Sequence, residues 1–163
     1  MVVATAVAAT FSGIPSTLHA LLTGRDPLAA VRAAGTLLPG LDRSRDTRPA
    51  MAGHVCREPG GGRALGGLVA GLVVHLVVSG FWGAMLARLP RRRPAAWGAG
   101  AGLGIAAVDQ ALIGRCSPAV RALPRLAQVA DHIAFGALFG WTLGAGQTGL
   151  PQKAASGPVS CER

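Results

Sequence analysis

The chain has 163 residues, half of them hydrophobic and only 14% charged, with a net charge of +9 at neutral pH. A water-soluble domain of this length carries more charge and shows polar residues throughout at helical or strand spacing. Nucleic-acid binding needs a basic soluble module with stacking aromatics. Here Tyr is absent, and the three Trp and four Phe lie mainly in or beside apolar stretches, so nucleic acid is not an expected partner and the lipid bilayer is.

Four apolar stretches organise the chain: residues 2–22, 64–87, 95–114 and 126–146. Each approaches the ~20 residues that a helix needs to cross hydrocarbon. The runs are continuous and lack the period of two that a barrel strand shows. Backbone groups in lipid then require helices. The expected fold is all-α: a single four-span bundle over residues 1–146.

In the first stretch Pro15, Ser16, Thr17 and His19 interrupt the second half. A proline at membrane depth is tolerable where neighbouring helices or hydroxyls satisfy the freed carbonyl. The stretch lacks a basic n-region and a small-x-small cleavage site, so it reads as a retained span. Next, Asp26 suits an N-cap and Pro27 a first helical residue. Leu28, Val31, Gly35 and Leu38 recur at helical spacing, and Pro39-Gly40 is a stop. Residues 27–38 are thus predicted to form a short amphipathic helix lying flat in the headgroup layer. Residues 41–63, charged and rich in Gly and Pro, read as a mobile loop.

The second stretch is the most apolar, with His75 and Ser79 as its polar side chains. A tight basic turn, residues 88–94, leads to the third. In the connection after it, Ser117-Pro118 can cap one helical turn before Pro124 ends it. The fourth stretch follows, and residues 147–163 read as a disordered tail. Cys56 and Cys116 fall on one membrane face and Cys161 on the other, without CxxC spacing. Fifteen of the sixteen basic residues are Arg, as in GC-rich bacterial coding. Ten basic residues lie on the face of the first and third loops and six on the other. That count favours a cytoplasmic location for the first and third loops. The dense Arg cluster of the 88–94 turn favours the opposite, with both termini inside.

Small residues recur every fourth position. One stripe is Gly67, Gly71, His75, Ser79, Gly83; another is His132, Gly136, Gly140, Gly144; the third stretch carries Gly98 and Gly102, and also Gly100 and Gly104. Such stripes let helix backbones approach closely, so His75 and His132 are expected to face other helices. At about 1.5 Å per residue, His19 lies ~5 Å, Asp109 ~8 Å, Asp131 and His132 ~8–9 Å and His75 ~15 Å from one membrane face. Asp109 and Asp131 are thereby expected at one level. Two carboxylates there would repel, so one is expected to be protonated, or neutralised by His132 or a nearby Arg.

The run from Phe11 to Leu28, FSGIPSTLHALLTGRDPL, resembles the opening of small, uncharacterised integral membrane proteins of high-GC bacteria. The resemblance covers the first quarter of the chain and implies no activity. It directs attention to residues 15–19 and 25–27, where a broken helix end meets the next helix.

No nucleophile-base set, phosphate loop or zinc signature is present, so no catalytic residue, metal or cofactor is expected. The leading expectation is a non-enzymatic accessory or self-associating membrane subunit, with a homo-oligomer or a membrane protein as partner. His19, His75, Asp109, Asp131 and His132 would form a structural polar clamp. The alternative is a small proton- or cation-coupled transporter or channel using the same residues as a relay. A third class is a haem- or quinone-associated redox subunit, with His75 and His132 or His19 as ligands.

Overall fold

A computed structural model describes residues 1–38, 61–88 and 92–148. Its elements are α1 (Val2–Phe11), α2 (Ile14–Leu22), α3 (Ala29–Gly35), α4 (Gly61–Leu86), α5 (Pro94–Cys116), α6 (Pro118–Arg121) and α7 (Arg125–Thr148). No strand occurs among the described residues. Most of the expected loop 41–63 and tail 147–163, with Cys56 and Cys161, lies outside them; Cys116 is exposed at the end of α5.

Three segments are long and apolar enough to cross a membrane: Val2–Leu22, Leu65–Leu86 and Pro94–Cys116. The first is α1 and α2 together, broken at Ser12-Gly13. Helix α7 has 24 residues, as long as the others, but Gln128, Asp131 and His132 dilute its apolar character. It is also the most enclosed of the long helices. Among residues 125–146 only Arg125, Leu126, Trp141, Ala145 and Gly146 are exposed. By contrast Leu65, Val69, Leu72, Val73, Leu76, Val77, Phe81 and Met85 form an exposed apolar face on α4. A face of that extent marks a lipid-facing or partner-facing surface, not one bathed in water.

Helix α7 is the hub. It packs most extensively on α5, then on α1 and α2, and lightly on α4. The core between α1 and α7 sets small against large: Ala4, Ala8 and Ala9 face the region of Phe135 and Phe139, with Leu86 and Ile105 closing it. The Phe135 and Phe139 rings lie one helical turn apart and stack with centroids 6.3 Å apart. Phe139 is fully buried. Lipid tails are as apolar as these side chains, so the association rests on contact density more than on water release.

The glycine stripes divide their work. Those of α5 and α7 meet backbone to backbone in an antiparallel hairpin. A methyl on Gly98 would sit 2.0 Å from the Gly136 carbonyl oxygen, one on Gly102 2.2 Å from that of His132, and one on Gly140 2.1 Å from that of Pro94. Gly144 is covered by the Pro94 ring. The alternate pair Gly100 and Gly104 faces open space. The fourth-stretch glycines thus pack inside the chain, against α5. On α4, Gly83 receives Thr5 and Phe139, whereas Gly67 and Gly71 receive α3: a methyl on Gly35 would meet the Gly67 oxygen and one on Gly71 the Val31 oxygen.

This last contact revises the expectation for residues 27–38. Helix α3 spans Ala29–Gly35, shorter than predicted, and it is docked on α4 through Val31 and Gly35. Asp26 does not cap at the predicted place. Its Oδ1 accepts from the Leu28 N–H at 3.0 Å, forming an Asx turn ahead of the helix, and the carboxylate pairs with Arg32. Gly24 ends α2. Its φ is +66°, and the Arg25 N–H reaches the Ala20 carbonyl at 2.8 Å, closing the C-terminal turn that a left-handed glycine permits. Helix α6 follows the prediction: Ser117 Oγ accepts from the Val120 N–H at 3.3 Å.

The hairpin contact supplies a test. Gly136→Ala places its methyl against immovable backbone and should lower stability by about 1–3 kcal/mol, the usual cost of overpacking. Gly100→Ala, on the open side of α5, should be neutral or stabilising by up to about 1 kcal/mol through helix propensity. Reversible unfolding in mixed detergent micelles, followed by circular dichroism, measures both.

Candidate functional site

The polar residues of the bundle gather around the break in the first span. Pro15 has no N–H to offer the preceding turn. The backbone ladder therefore lapses between Phe11 and Ile14, and groups that would pair within one continuous helix need other partners. Other helices provide them on both sides of the break. The His75 Nε2 of α4 lies 3.0 Å from the Ala9 carbonyl oxygen in the last turn of α1. A carbonyl only accepts, so Nε2 carries the proton. Asp131 Oδ1 of α7 accepts from the Ser16 N–H at 2.9 Å, in the first turn of α2. That bond caps α2 from another helix. Ser16 Oγ adds a bond to the Gly13 carbonyl at 3.2 Å.

Adjacent on α7, His132 points away from Asp131, since successive residues diverge by about 100° around a helix. Its Nδ1 lies 2.7 Å from the Gln128 carbonyl oxygen one turn back. Its Nε2 lies 2.7 Å from Asp109 Oδ2 of α5. The carbonyl fixes a proton on Nδ1. One more proton lies between Nε2 and Oδ2. Whichever atom holds it, the pair is neutral as a unit, the form that a low-dielectric setting tolerates.

The register corrects one expectation. Gly98 meets Gly136 and Gly102 meets His132, which sets Asp109 near the level of Arg125 and Asp131 near that of Leu103. The carboxylates are not level; they are offset by about six residues, ~9 Å along the axis. Side chains lean toward their own helix N-terminus. On an antiparallel pair, His132 therefore leans toward the end of α5 and Asp109 leans back toward it, and the two meet across the offset. Asp109 is neutralised by His132, one of the expected alternatives, while Asp131 serves the backbone of α2.

His75 only partly meets expectation. Its ring reaches Ala9, yet the residue is exposed on the bundle surface. His19, half-buried on α2, joins neither pair and lines a cavity at the end of the bundle. The hydrogen bonds of His75 and His132 run to Ala9 and to Gln128 and Asp109 respectively, so neither ring is aimed at the other as a haem ligand pair. Among the described residues no group of three or more His, Cys, Asp or Glu is placed to hold a metal ion. Sequence reasoning missed two members of the network. Gln128 holds His132 through its carbonyl and donates from Nε2 to the Val120 carbonyl at 3.2 Å. Gln110 donates to the Arg125 carbonyl at 3.3 Å. Their positions at the start of α7 and near the end of α5, close to Asp109 and His132 in sequence, were the available signal.

No protein-family model matches the chain, and no curated protein and no solved structure matches it.

Two measurements probe the site. Asp131→Ala strips the acceptor from a half-buried N–H and should cost about 1–3 kcal/mol, whereas Asp131→Asn keeps an acceptor oxygen and should cost much less. In a Pro15→Ala background, where the helix can close its own ladder, the Asp131→Ala penalty should shrink, giving a coupling of roughly 1 kcal/mol in a double-mutant cycle. For the second pair, His132→Leu and Asp109→Leu should each destabilise more than the double variant does. Their coupling should be about 0.6–1.7 kcal/mol, the range for polar pairs between membrane helices. Unfolding in mixed micelles reads both cycles.

Proposed function

We propose that the chain is a non-enzymatic integral membrane protein, an accessory or self-associating subunit, that crosses a bacterial cytoplasmic membrane four times with α7 as the fourth and central crossing. Three helices meet the length and hydropathy of a span without it. The case for α7 is physical. A helix carrying Asp131 and His132 is costly facing lipid, and here it is the helix on which the others pack. Its polarity reflects its central position, so weaker hydropathy does not argue against crossing.

The observation that carries the functional reading is the partner of each polar group. Asp131 holds a backbone N–H of α2, His75 a backbone carbonyl of α1, and His132 is bonded at both ring nitrogens. A relay needs groups that exchange partners with water or with an ion. These groups instead hold helices to one another, which favours the clamp over the transporter.

Reconstitution separates the readings. Liposomes bearing the purified protein and a pH-sensitive dye should show no proton flux above protein-free vesicles, and Asp131→Asn should leave both oligomer mass and flux unchanged. Flux in the wild type that disappears in Asp131→Asn would replace the structural reading with a proton path. Purification in mild detergent should yield a colourless protein; a Soret band would favour the redox reading instead.

A further inference from the structure

A recess of the bundle lies at one end, away from the glycine hairpin. It is a cavity of about 410 Å³ enclosed by α2, the turn into α3, α3 itself, α6 and the start of α7. Two of the apolar segments, Val2–Leu22 and Pro94–Cys116, end at this level, so the cavity lies at the height of the lipid headgroups. Its wall is built of small apolar side chains, among them Ala20, Ala30, Ala33 and Ala127. Its polar lining includes Ser16, His19, Arg25, Asp26, Arg32 and Gln128.

These groups differ in what already occupies them. Asp26 is paired with Arg32 and also accepts from the Leu28 N–H. The Gln128 amide nitrogen donates to Val120. The Arg25 guanidinium and the His19 ring make no side-chain hydrogen bond or ion pair with any described residue. Among the described residues, the cavity therefore holds one neutralised ion pair, one guanidinium and one imidazole without a side-chain partner, against an apolar wall. A ligand matched to it has an anionic, hydrogen-bond-accepting group for Arg25 and His19 and an apolar part for the alanine wall. Basic pockets between membrane helices at headgroup height bind anionic lipid headgroups by this chemistry, and Arg suits phosphate through its planar fork of donors.

We propose that this cavity binds the phosphate of an anionic phospholipid headgroup, with Arg25 as its charged anchor and His19 as a second donor. The site commits to a lipid source because the apolar wall adjoins the anion-binding groups and would gain nothing from free phosphate. It rests on the membrane reading of the bundle. Resistance of the same preparation to carbonate extraction checks that reading separately.

The test uses the full chain in mild detergent micelles and follows thermal unfolding during titration with phosphatidylglycerol, phosphatidylcholine or inorganic phosphate. Phosphatidylglycerol should raise the melting temperature saturably, and the other two should not. Arg25→Gln should weaken the apparent affinity ~5-fold, as expected for one basic group facing an anionic headgroup, and Arg25→Gln with His19→Gln should weaken it further. Arg92→Gln, on the opposite rim, should leave the titration unchanged. Each variant's melting temperature without lipid establishes that it is folded; should the double variant fail that check, Arg25→Lys, which keeps the charge but loses the fork, replaces it and should give a partial loss. Equal stabilisation by phosphatidylcholine, equal stabilisation by inorganic phosphate, or an unchanged phosphatidylglycerol titration in Arg25→Gln would each overturn the proposal.

Discussion

A helix broken inside an apolar environment leaves backbone groups that no solvent can satisfy, and the rest of this bundle is arranged around that constraint. Pro15 interrupts the first span, and the break is closed from outside. His75 on α4 takes the Ala9 carbonyl and Asp131 on α7 takes the Ser16 N–H. The bonds act on opposite sides of the break and come from different helices, so α4 and α7 are each tied to the first span at a fixed height. A straight first helix would need neither residue, and the cost of withdrawing the Asp131 carboxylate from water would have nothing to offset it.

The arrangement also explains why the least apolar long helix occupies the centre. Asp131, His132 and Gln128 sit within two turns of α7, and each faces a different neighbour: α2, α5 and α6 in turn. Only a central helix has neighbours on that many sides. The outer helices α4 and α5 carry few such groups and present Leu, Val, Phe and Trp outward. Polar groups are thereby turned toward protein, and the outward faces are apolar. His75 is the exception, bonded at its tip while the residue stays at the surface.

Close backbone contact between α5 and α7 sets the scale on which these polar bonds form. With glycine at Gly98, Gly102, Gly136 and Gly140 the helices touch through their main chains, and a relative slide by one residue would bring side chains into that seam. The seam therefore fixes the axial register, and the register delivers His132 to Asp109. The same principle, with different partners, docks α3 on α4 through Gly35 and Gly71. The short connecting helices α3 and α6 then lean over the ends of α2 and α7, and the alanine-walled cavity is the space they leave.

The lengths of the apolar runs, the break at Pro15, the single turn capped by Ser117 and the existence of polar residues at membrane depth were all legible in the sequence, because each depends on residues within a turn or two of one another. Periodicity also marked which glycines form stripes. It could not say which stripe meets which neighbour, and so it left Gly71 to be claimed by α3, and Gly140 by Pro94 of the same chain. Nor could depth counted from span ends reveal that Asp109 and Asp131 are offset, because the hairpin register is set where backbones touch and not where the apolar runs stop. The pairing of Ser16 with Asp131 joins residues 115 positions apart. Nothing local distinguishes that partner from His132 or an arginine; only the packed bundle, by fixing the direction in which each α7 side chain leaves the helix, decides it.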